Sequence, residues 1–198
     1  LTGFKYIGEL VTNLEAEGRA SDFVMGFEES YGYLAGTHAR DKDAVVASML
    51  ICEMAAYYKT KNMNLVDVME SLYEEFGFYA NVVESYTFEG ASGMEKMASI
   101  MDGLRTNAPS KIAGYDVVSV SDYEASKTVF ANGRADEKIE LPKSNVLAYG
   151  LTDGNKLIVR PSGTEPKIKA YITAVGKSRE EADSIAAKLI DDANEFMK

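Results

Sequence analysis

Three segments of the chain carry side chains whose types and spacing could do chemistry. Their sequences are RPSGTEP, GFEESYG and HARDKD. Each combines charged side chains with hydroxyl groups, with glycine, or with charges of the opposite sign. Each therefore suits the binding of a polar ligand, and each also has an ordinary structural explanation.

The segment RPSGTEP lies between two predicted strands and is suited to bind a phosphate. Arg160 offers a planar fork of N–H donors that matches phosphate oxygens. Ser162 and Thr164 offer hydroxyl donors, and Gly163 lets the backbone turn so that N–H groups face an anion. Lys169 on the next strand adds a positive charge. The alternative is a tight turn, because these residue types are common in hairpins. The segment is not a Walker A loop, since no Gly-Lys-Thr or Gly-Lys-Ser follows at the required spacing.

The segment GFEESYG is suited to bind sugar hydroxyls. Glu28 and Ser30 are two residues apart, so in extended backbone their side chains point the same way. A carboxylate and a hydroxyl in one pocket match neighbouring sugar hydroxyls, which both donate and accept hydrogen bonds. The alternative is a solvated acidic loop. The glycine-containing, charged and aperiodic stretch EESYGYLAGTHARDKD predicts either a functional loop or a disordered insert.

The segment HARDKD has two carboxylates that could bind a metal ion, but a lysine lies between them. Asp41 and Asp43 flank Lys42, and a cation between two ligands weakens any metal site. We therefore interpret the segment as a helix N-cap with exposed charges. His38 is the only histidine, and we assign it no catalytic role.

Hydrophobic periodicity predicts the elements that hold the second and third segments. Apolar residues at helical spacing predict a first helix that ends near Gly18. The apolar run 23–27 predicts a short buried strand ahead of Glu28. The strongly apolar stretch 44–58, which Asp43 can cap, predicts a core helix.

Two further helices are predicted before the chain becomes rich in strands. Asn64 can cap a helix over 65–76, and Gly77 follows as its end. Ser92 and Glu95 have the spacing of a capping box ahead of another helix. These patterns indicate an α/β domain.

The last part of the chain has a different pattern. Asp153-Gly154 between two apolar runs predicts a β-hairpin. Residues 167–175 alternate between apolar and polar side chains, which is typical of an antiparallel sheet with one buried face. Ser178 and Glu181 then have the spacing of a capping box ahead of an amphipathic helix. Strands followed by a helix indicate a small α+β domain.

The predicted domains are residues 1–105 and 115–198, joined by a linker over 106–114. The linker sequence TNAPSKIAG is mostly polar or small, so few packed contacts are expected there.

Composition excludes several classes of protein. The chain has 198 residues, 46% of them hydrophobic and 26% charged, which is ordinary for a globular protein and unlike a disordered one. Its longest apolar run, 44–58, is too short to span a bilayer. A net charge of −10 argues against non-specific nucleic-acid binding. Cys52 is the only cysteine, so an internal disulfide is excluded and a reducing cytoplasm is expected.

Taken in order, GFEESYG, ARDKD, RPSGTEP and IKAYI resemble the α-D-phosphohexomutases, and in particular the bacterial phosphoglucomutase/phosphomannomutase branch. The opening TGFKYIGE also resembles a segment of that family's third domain. The family has four domains around one cleft. The resemblance implies an incomplete mixed-sheet α/β domain followed by a small antiparallel-sheet domain with helices on one face, similar to the TATA-box-binding protein.

The resemblance also implies that the chain is part of a longer enzyme. No segment matches the family's phosphoserine motif in its first domain or its Asp-rich magnesium loop in the second. We therefore expect a C-terminal piece with no catalytic residue and no metal site of its own. An opening on Leu1 instead of methionine agrees with this expectation.

Candidate substrate-binding residues follow from the resemblance in the third domain. Glu28 and Ser30 match the loop that holds the hexose hydroxyls. Thr2 and Gly3 match a loop that lines the same cleft, and Lys42 matches a basic residue near the substrate.

In the fourth domain, Arg160, Ser162, Gly163 and Thr164 match the phosphate-binding loop, and Lys169 lies where relatives can have an arginine. Phosphomannomutase/phosphoglucomutase members have Ser-Gly-His in the sugar loop where this chain has Ser-Tyr-Gly. The missing histidine leaves the choice between glucose, mannose and pentose phosphates open.

The implied reaction interconverts hexose 1-phosphate and hexose 6-phosphate through two phosphoryl transfers. A phosphoserine gives its group to the substrate, the bisphosphate turns around, and the other phosphate returns to the serine. The parent enzyme would use Mg²⁺ and glucose 1,6-bisphosphate, and would work in the cytoplasm without a nucleic-acid or membrane partner. Its other domains would complete the cleft, and this chain alone would be inactive. A truncated sheet would expose an edge strand through which a homodimer could form.

Two other classes stay open at this point. A stand-alone phosphosugar-binding or regulatory module would bind ligand without catalysis. A structural or interaction domain would not bring Glu28, Ser30 and Arg160 to one cleft.

Overall fold

The computed structural model describes residues 3–28, 31–90, 92–163 and 165–198. The chain divides into two compact units, Leu1–Ser71 and Leu72–Lys198.

The first unit is built on a helix and a hairpin. Helix α1 spans Lys5–Ala16, and strands β1, Met25–Glu28, and β2, Gly32–Ala35, pair antiparallel. A small core of Phe4, Val11, Phe23 and Leu34 holds α1 and the hairpin together. Helix α2, Ala44–Lys59, packs against β2, and helix α3, Leu65–Phe76, crosses the division between the units.

Side-chain caps begin α2 and α3 as predicted. Asp43 Oδ1 accepts hydrogen bonds from the backbone N–H groups of Val45 and Val46, at 2.9 and 3.0 Å. Asn64 Oδ1 accepts from Val66 N at 2.8 Å, and Asp67 Oδ2 accepts from Asn64 N at 2.8 Å. Each cap satisfies backbone donors that the first helical turn leaves unpaired.

Two predictions for the hairpin of the first unit are wrong in part. The run 23–27 does contain strand β1, but β1 is not buried, and Phe27 is 67% exposed. The stretch predicted to be a loop contains strand β2, Gly32–Ala35. The reason is shared: a two-stranded hairpin buries one face against α1 and leaves its other face uncovered.

Helix α2 is also not a core helix. It has no buried residue, and Val45 is 74% exposed and Met49 65% exposed. Its only cysteine, Cys52, is exposed with a free thiol. An apolar sequence shows what a helix can bury, but the part of the chain that the structure describes packs chiefly β2 against it.

The second unit is an antiparallel sheet. Its strands are β3, Phe78–Thr87; β4, Lys111–Ile112; β5, Tyr115–Asp122; β6, Lys127–Phe130; β7, Glu137–Lys138; β8, Leu147–Leu151; β9, Lys156–Pro161; and β10, Lys167–Gly176. The strand order is β3-β10-β9-β8-β5-β6-β7, and β4 pairs with β5. Helix α4 spans Gly93–Thr106 between β3 and β4, and helix α5, Arg179–Phe196, follows β10.

One hydrophobic core joins the sheet to both helices of this unit. Strand β10 places its alternate residues, Ile168, Ala170, Ile172 and Ala174, in that core, as their spacing predicts. Helix α5 packs on β10 and β3 and begins at Ser178, whose Oγ accepts from Glu181 N at 3.2 Å. The small antiparallel-sheet domain with helices on one face is therefore confirmed.

Helix α4 contributes to the same core, but its predicted cap is wrong. Ser92 has helical backbone angles and makes no side-chain cap hydrogen bond. At the other end of α4, Leu104 is anchored to the sheet, because the Tyr149 hydroxyl donates to its carbonyl oxygen at 3.0 Å. Burial of Tyr149 raises its pKa to about 12.

The compact units divide the chain at a different place from the predicted linker over 106–114. Strand β3 pairs along its whole length with β10, so residues 78–87 belong to the second compact unit. Lys111 and Ile112 within the predicted linker form β4. The linker between the family's own domains stays a prediction. Among the described residues, no helix is both long and apolar enough to cross a membrane.

The side chain of Asn155 hydrogen-bonds two backbone groups in or next to the sheet, and this role can be tested. Asn155 is 1% exposed; its Oδ1 accepts from Val175 N at 2.9 Å, and its Nδ2 donates to the Thr152 carbonyl oxygen at 3.1 Å. We expect Asn155→Ala to lower the free energy of unfolding by about 2 kcal/mol, because it leaves buried backbone groups unpaired. Amide hydrogen exchange at Val175 should accelerate.

The matched control is Asn132→Ala, which removes an exposed turn contact to Arg134 N and should leave the Val175 exchange rate unchanged. Unchanged Val175 protection in Asn155→Ala would contradict the assigned role.

Candidate functional site

The candidate phosphate loop is the connection between β9 and β10. Ser162 N donates to the Lys167 carbonyl oxygen at 2.7 Å, and Lys167 N donates to the Glu165 carbonyl oxygen at 2.7 Å. Glu165 N donates to Ser162 Oγ at 3.3 Å. The segment is thus a tight hydrogen-bonded turn, and its backbone is held in place from both sides. Thr164 lies outside the described residues.

Two cations lie side by side where this loop leaves the sheet. Arg160 on β9 pairs directly with Lys169 on β10, so both side chains stand on the same face of the sheet. Like charges directly opposite each other destabilise a sheet. Within the described ranges, neither side chain has a carboxylate at ion-pair distance, whereas Lys167 Nζ lies 3.2 Å from Glu165 Oε2. The pair therefore lacks the counter-charge that a bound anion would supply.

Two local properties of Gly163 bear on the predicted turn: its backbone angle and the space around it. Its φ does not fall among the positive values that favour glycine. An added Cβ would meet no atom within 4 Å, so packing does not require glycine either. What the missing side chain does provide is open space next to the loop backbone. The nest geometry itself involves Thr164 and stays a prediction.

A cavity of about 350 Å³ opens beside the loop. Three stretches of chain form its wall: the start of α4, the segment before β8, and the end of β9 with the loop. The lining residues are Met94, Met97, Ala98, Ser144, Asn145, Val146, Arg160, Pro161, Ser162 and Gly163. Ser144 and Asn145 were not identified by sequence analysis, because they belong to no motif and are distant from the loop along the chain.

The candidate sugar site in the first unit is centred on Glu28 and Lys42. Lys42 Nζ lies 3.8 Å from Glu28 Oε1 and 2.8 Å from Asp41 Oδ1. The hydrogen bond to Asp41 is the main cause of a raised pKa of Lys42, and the same bond lowers the pKa of Asp41. The lysine is therefore cationic, and the Glu28 carboxylate beside it is only 17% exposed.

Gly32 allows the side chains of Lys42 and Glu28 to approach each other. It pairs with Glu28 across the hairpin, and an added Cβ would lie 2.2 Å from Lys42 Cδ and 2.8 Å from Glu28 Oε1. A larger residue would therefore displace both charged groups. The Lys42 ammonium also lies 5.4 Å from the centre of the Phe4 ring.

Gly3, which precedes Phe4, has a φ of 112°, in the region that favours glycine. The structure thus brings Glu28, Lys42 and the Gly3 segment together. Thr2 and Ser30, the other two candidates of this unit, lie outside the described residues.

The segment HARDKD acts as the predicted cap. His38 Nε2 lies 2.8 Å from Asp43 Oδ2, while Asp43 Oδ1 caps α2. The hydrogen bond from His38 is the main cause of a lowered pKa of Asp43. Across the part of the chain that the structure describes, no three His, Cys, Asp or Glu side chains are placed to hold a metal ion.

Two family models match this chain, one in each half of the sequence. A family model described as "Phosphoglucomutase/phosphomannomutase, alpha/beta/alpha domain III" matches residues 1–76. A second, "Phosphoglucomutase/phosphomannomutase, C-terminal domain", matches residues 110–192.

Similar sequences include two named phosphoglucomutases. The protein from Staphylococcus epidermidis is 37% identical over 191 residues, which cover 96% of this chain and 34% of that protein. The protein from Staphylococcus haemolyticus is 38% identical over 173 residues, covering 87% of this chain and 31% of its own. The chain thus spans about a third of the length of these relatives.

Among solved structures, the open form of pp63/parafusin, a phosphoglucomutase from Paramecium, shares the fold. It has a TM-score of 0.64 and 20% sequence identity, and the match covers 99% of this chain and 32% of that one. With both family models matched in order and a shared fold, the chain belongs to the phosphoglucomutase/phosphomannomutase family and corresponds to its third and C-terminal domains.

Proposed function

We propose that the chain is the sugar- and phosphate-binding part of an enzyme that interconverts hexose 1-phosphate and hexose 6-phosphate. Glucose phosphate is the first candidate substrate and mannose phosphate the second. The observation that carries the proposal is the cross-strand pair of Arg160 and Lys169 beside the Ser162-Gly163 turn. Relatives that match 96% and 87% of this chain bear the name phosphoglucomutase, which supports the choice of reaction.

The charge of the pair outweighs the acidity of the chain at the distance of a bound phosphate. The chain has a net charge of −10, but screening removes the effect of distant surface charges beyond about 10 Å. Two adjacent cations with a guanidinium fork match a phosphate dianion in charge and in geometry.

Each candidate residue has a task in the proposed site. Arg160 and Lys169 neutralise the phosphate that is not being transferred, and Gly163 leaves room for its oxygens to approach the backbone. Ser162 and Thr164 add hydroxyl groups at the same turn.

In the first unit, Glu28 accepts from the sugar hydroxyls, and Lys42, which lies 3.8 Å from that carboxylate, donates to the ligand. Thr2, Gly3 and Ser30 line the same sugar site. Phosphoryl transfer depends mainly on positioning and electrostatics, so binding groups of this kind contribute directly to the rate.

The transfer itself needs groups beyond these residues. We propose that a phosphoserine elsewhere in the parent enzyme gives and regains the phosphoryl group, with glucose 1,6-bisphosphate as the intermediate. Magnesium would neutralise phosphate charge during transfer. The described residues do not fit a magnesium site, since no three carboxylate, imidazole or thiol side chains lie together. We propose that the metal is held by the parent's other domains.

The cytoplasm remains the proposed compartment, because the exposed free thiol of Cys52 suits a reducing environment. Dimerisation through an exposed edge stays a prediction.

Arg160→Ala in the full-length enzyme should raise KM and lower kcat/KM for glucose 1-phosphate by about 100-fold. A charge-assisted contact contributes about 1.5–3 kcal/mol, and Lys169 alone cannot replace the guanidinium fork. Steady-state kinetics with a coupled assay for glucose 6-phosphate measures the effect. Arg134→Ala is the matched control, because it removes an exposed arginine that pairs with Glu137 in the same unit. An unchanged kcat/KM in Arg160→Ala would contradict the proposal that Arg160 binds the phosphate.

Gly163→Ala should separate binding from stability. The added methyl meets no neighbour, so the melting temperature should stay within about 1 °C of the wild type or rise slightly. Affinity for glucose 6-phosphate should fall about tenfold, because the methyl occupies space at the loop. Calorimetric titration and thermal melting of the same preparations measure both. If the affinity does not change, the ligand does not approach this backbone.

The chain alone should show no mutase activity, because it holds no candidate phosphoserine. The coupled assay with glucose 1-phosphate tests this, and the full-length enzyme is the positive control. Glucose 6-phosphate formed by the isolated chain would refute the proposal. Ligand affinity of the isolated chain, in a protein with no full-length catalytic form, would favour the alternative of a stand-alone phosphosugar-binding module.

A further inference from the structure

The cavity beside the loop contains a polar group without a partner. Ser144 Oγ is buried and makes no hydrogen bond. Buried hydroxyl groups in proteins are nearly always hydrogen-bonded, so an exception calls for an explanation. Ser144 lines the cavity together with Arg160 and Gly163, and an absent ligand is one such explanation.

Ser144 is held in position by its backbone. Its N–H donates to the Tyr123 carbonyl oxygen at 3.4 Å, and its own carbonyl oxygen accepts from Val146 N at 2.8 Å. These bonds attach the segment before β8 to the strand end beside it. The backbone of Ser144 is therefore held beside the end of β5.

The next residue, Asn145, is oriented by the partly exposed side chain of Arg105 and its partners. Arg105 Nη2 donates to Asn145 Oδ1 at 2.8 Å, and Arg105 Nε donates to Asp122 Oδ2 at 2.9 Å. Glu124 adds an ion pair at 2.9 Å. Because the amide oxygen of Asn145 is already used, its NH₂ group is the part that remains for a ligand in the cavity.

The opposite wall is the first turn of α4. Met94 lines the cavity, and Ser92 makes no cap hydrogen bond to the amides of that turn. The start of a helix carries partial positive charge, which favours an anion nearby. The cavity wall is largely apolar, and Ser144, Asn145 and Arg160 are lining residues that can donate hydrogen bonds.

We propose that the Ser144 hydroxyl donates a hydrogen bond to the phosphate of a sugar phosphate bound at the Arg160–Gly163 loop, with the Asn145 amide as a second donor. This inference rests on the proposed function and adds two residues to its phosphate site. A phosphate monoester supplies acceptor oxygens for these donors. An ordered water on Ser144 is the competing explanation.

The variant Ser144→Ala in the full-length protein tests the proposal, with titration calorimetry against two probes, glucose 6-phosphate and inorganic phosphate. We expect affinity for both to fall about tenfold, because one charge-assisted hydrogen bond is lost. The melting temperature without ligand should not fall, since the variant removes an unpaired buried hydroxyl. Ser48→Ala is the control, because Ser48 Oγ is satisfied within α2 by the Ala44 carbonyl oxygen at 2.7 Å.

Ser144→Cys provides a second variant of nearly the same volume with a much weaker donor. It should show the same loss and covers the case in which the alanine variant folds poorly. Unchanged affinity in both variants would overturn the inference and leave water as the partner of Ser144. A loss confined to glucose 6-phosphate would also overturn it, because the contact would then be to the sugar.

Arg160→Ala, measured in parallel, separates this inference from the proposed function. If Arg160→Ala weakens binding and the Ser144 variants do not, only the inference fails. If none of the variants weakens binding of either probe, the proposed phosphate site fails as well.

Discussion

The register of strand β10 is the constraint on which the second unit depends. Ile168, Ala170, Ile172 and Ala174 are each at most 2% exposed, and they fill the core beneath α5. A slip of one residue would turn every one of these side chains to the other face and bury Lys169. The hydrophobic alternation therefore does more than stabilise the sheet. It fixes Lys169 opposite Arg160, so the packing of the core determines where the cationic pair stands.

The same argument explains how much could be predicted from the sequence. Local signals were sufficient for β10, for α5 with its Ser178 cap, and for the caps at Asp43 and Asn64, because each depends on neighbours within a few residues. Positions that depend on long-range packing were not predictable. The burial of β1 and α2 depends on which other elements pack against them. Hydrophobic periodicity within each element carries no information about those packing partners.

Contacts between segments that are distant along the chain could not be predicted from the sequence either. Glu28 and Lys42 were identified from their motifs, but the dependence of their approach on Gly32 is visible only in the hairpin register. Likewise, nothing in the sequence around Ser144 indicates the loop that it faces. The family resemblance predicts the phosphate loop, and the geometry adds that neither φ nor packing requires glycine at position 163.

Helix α2 has a practical consequence for work on this protein. Cys52 is the only cysteine of the chain and lies exposed on a helix whose apolar residues are largely in contact with solvent. A single thiol-reactive fluorophore can therefore be attached at one defined place without mutation of any other residue. Its emission wavelength, which shifts to the blue in apolar surroundings, would report whether this surface is covered when the chain is part of a longer protein.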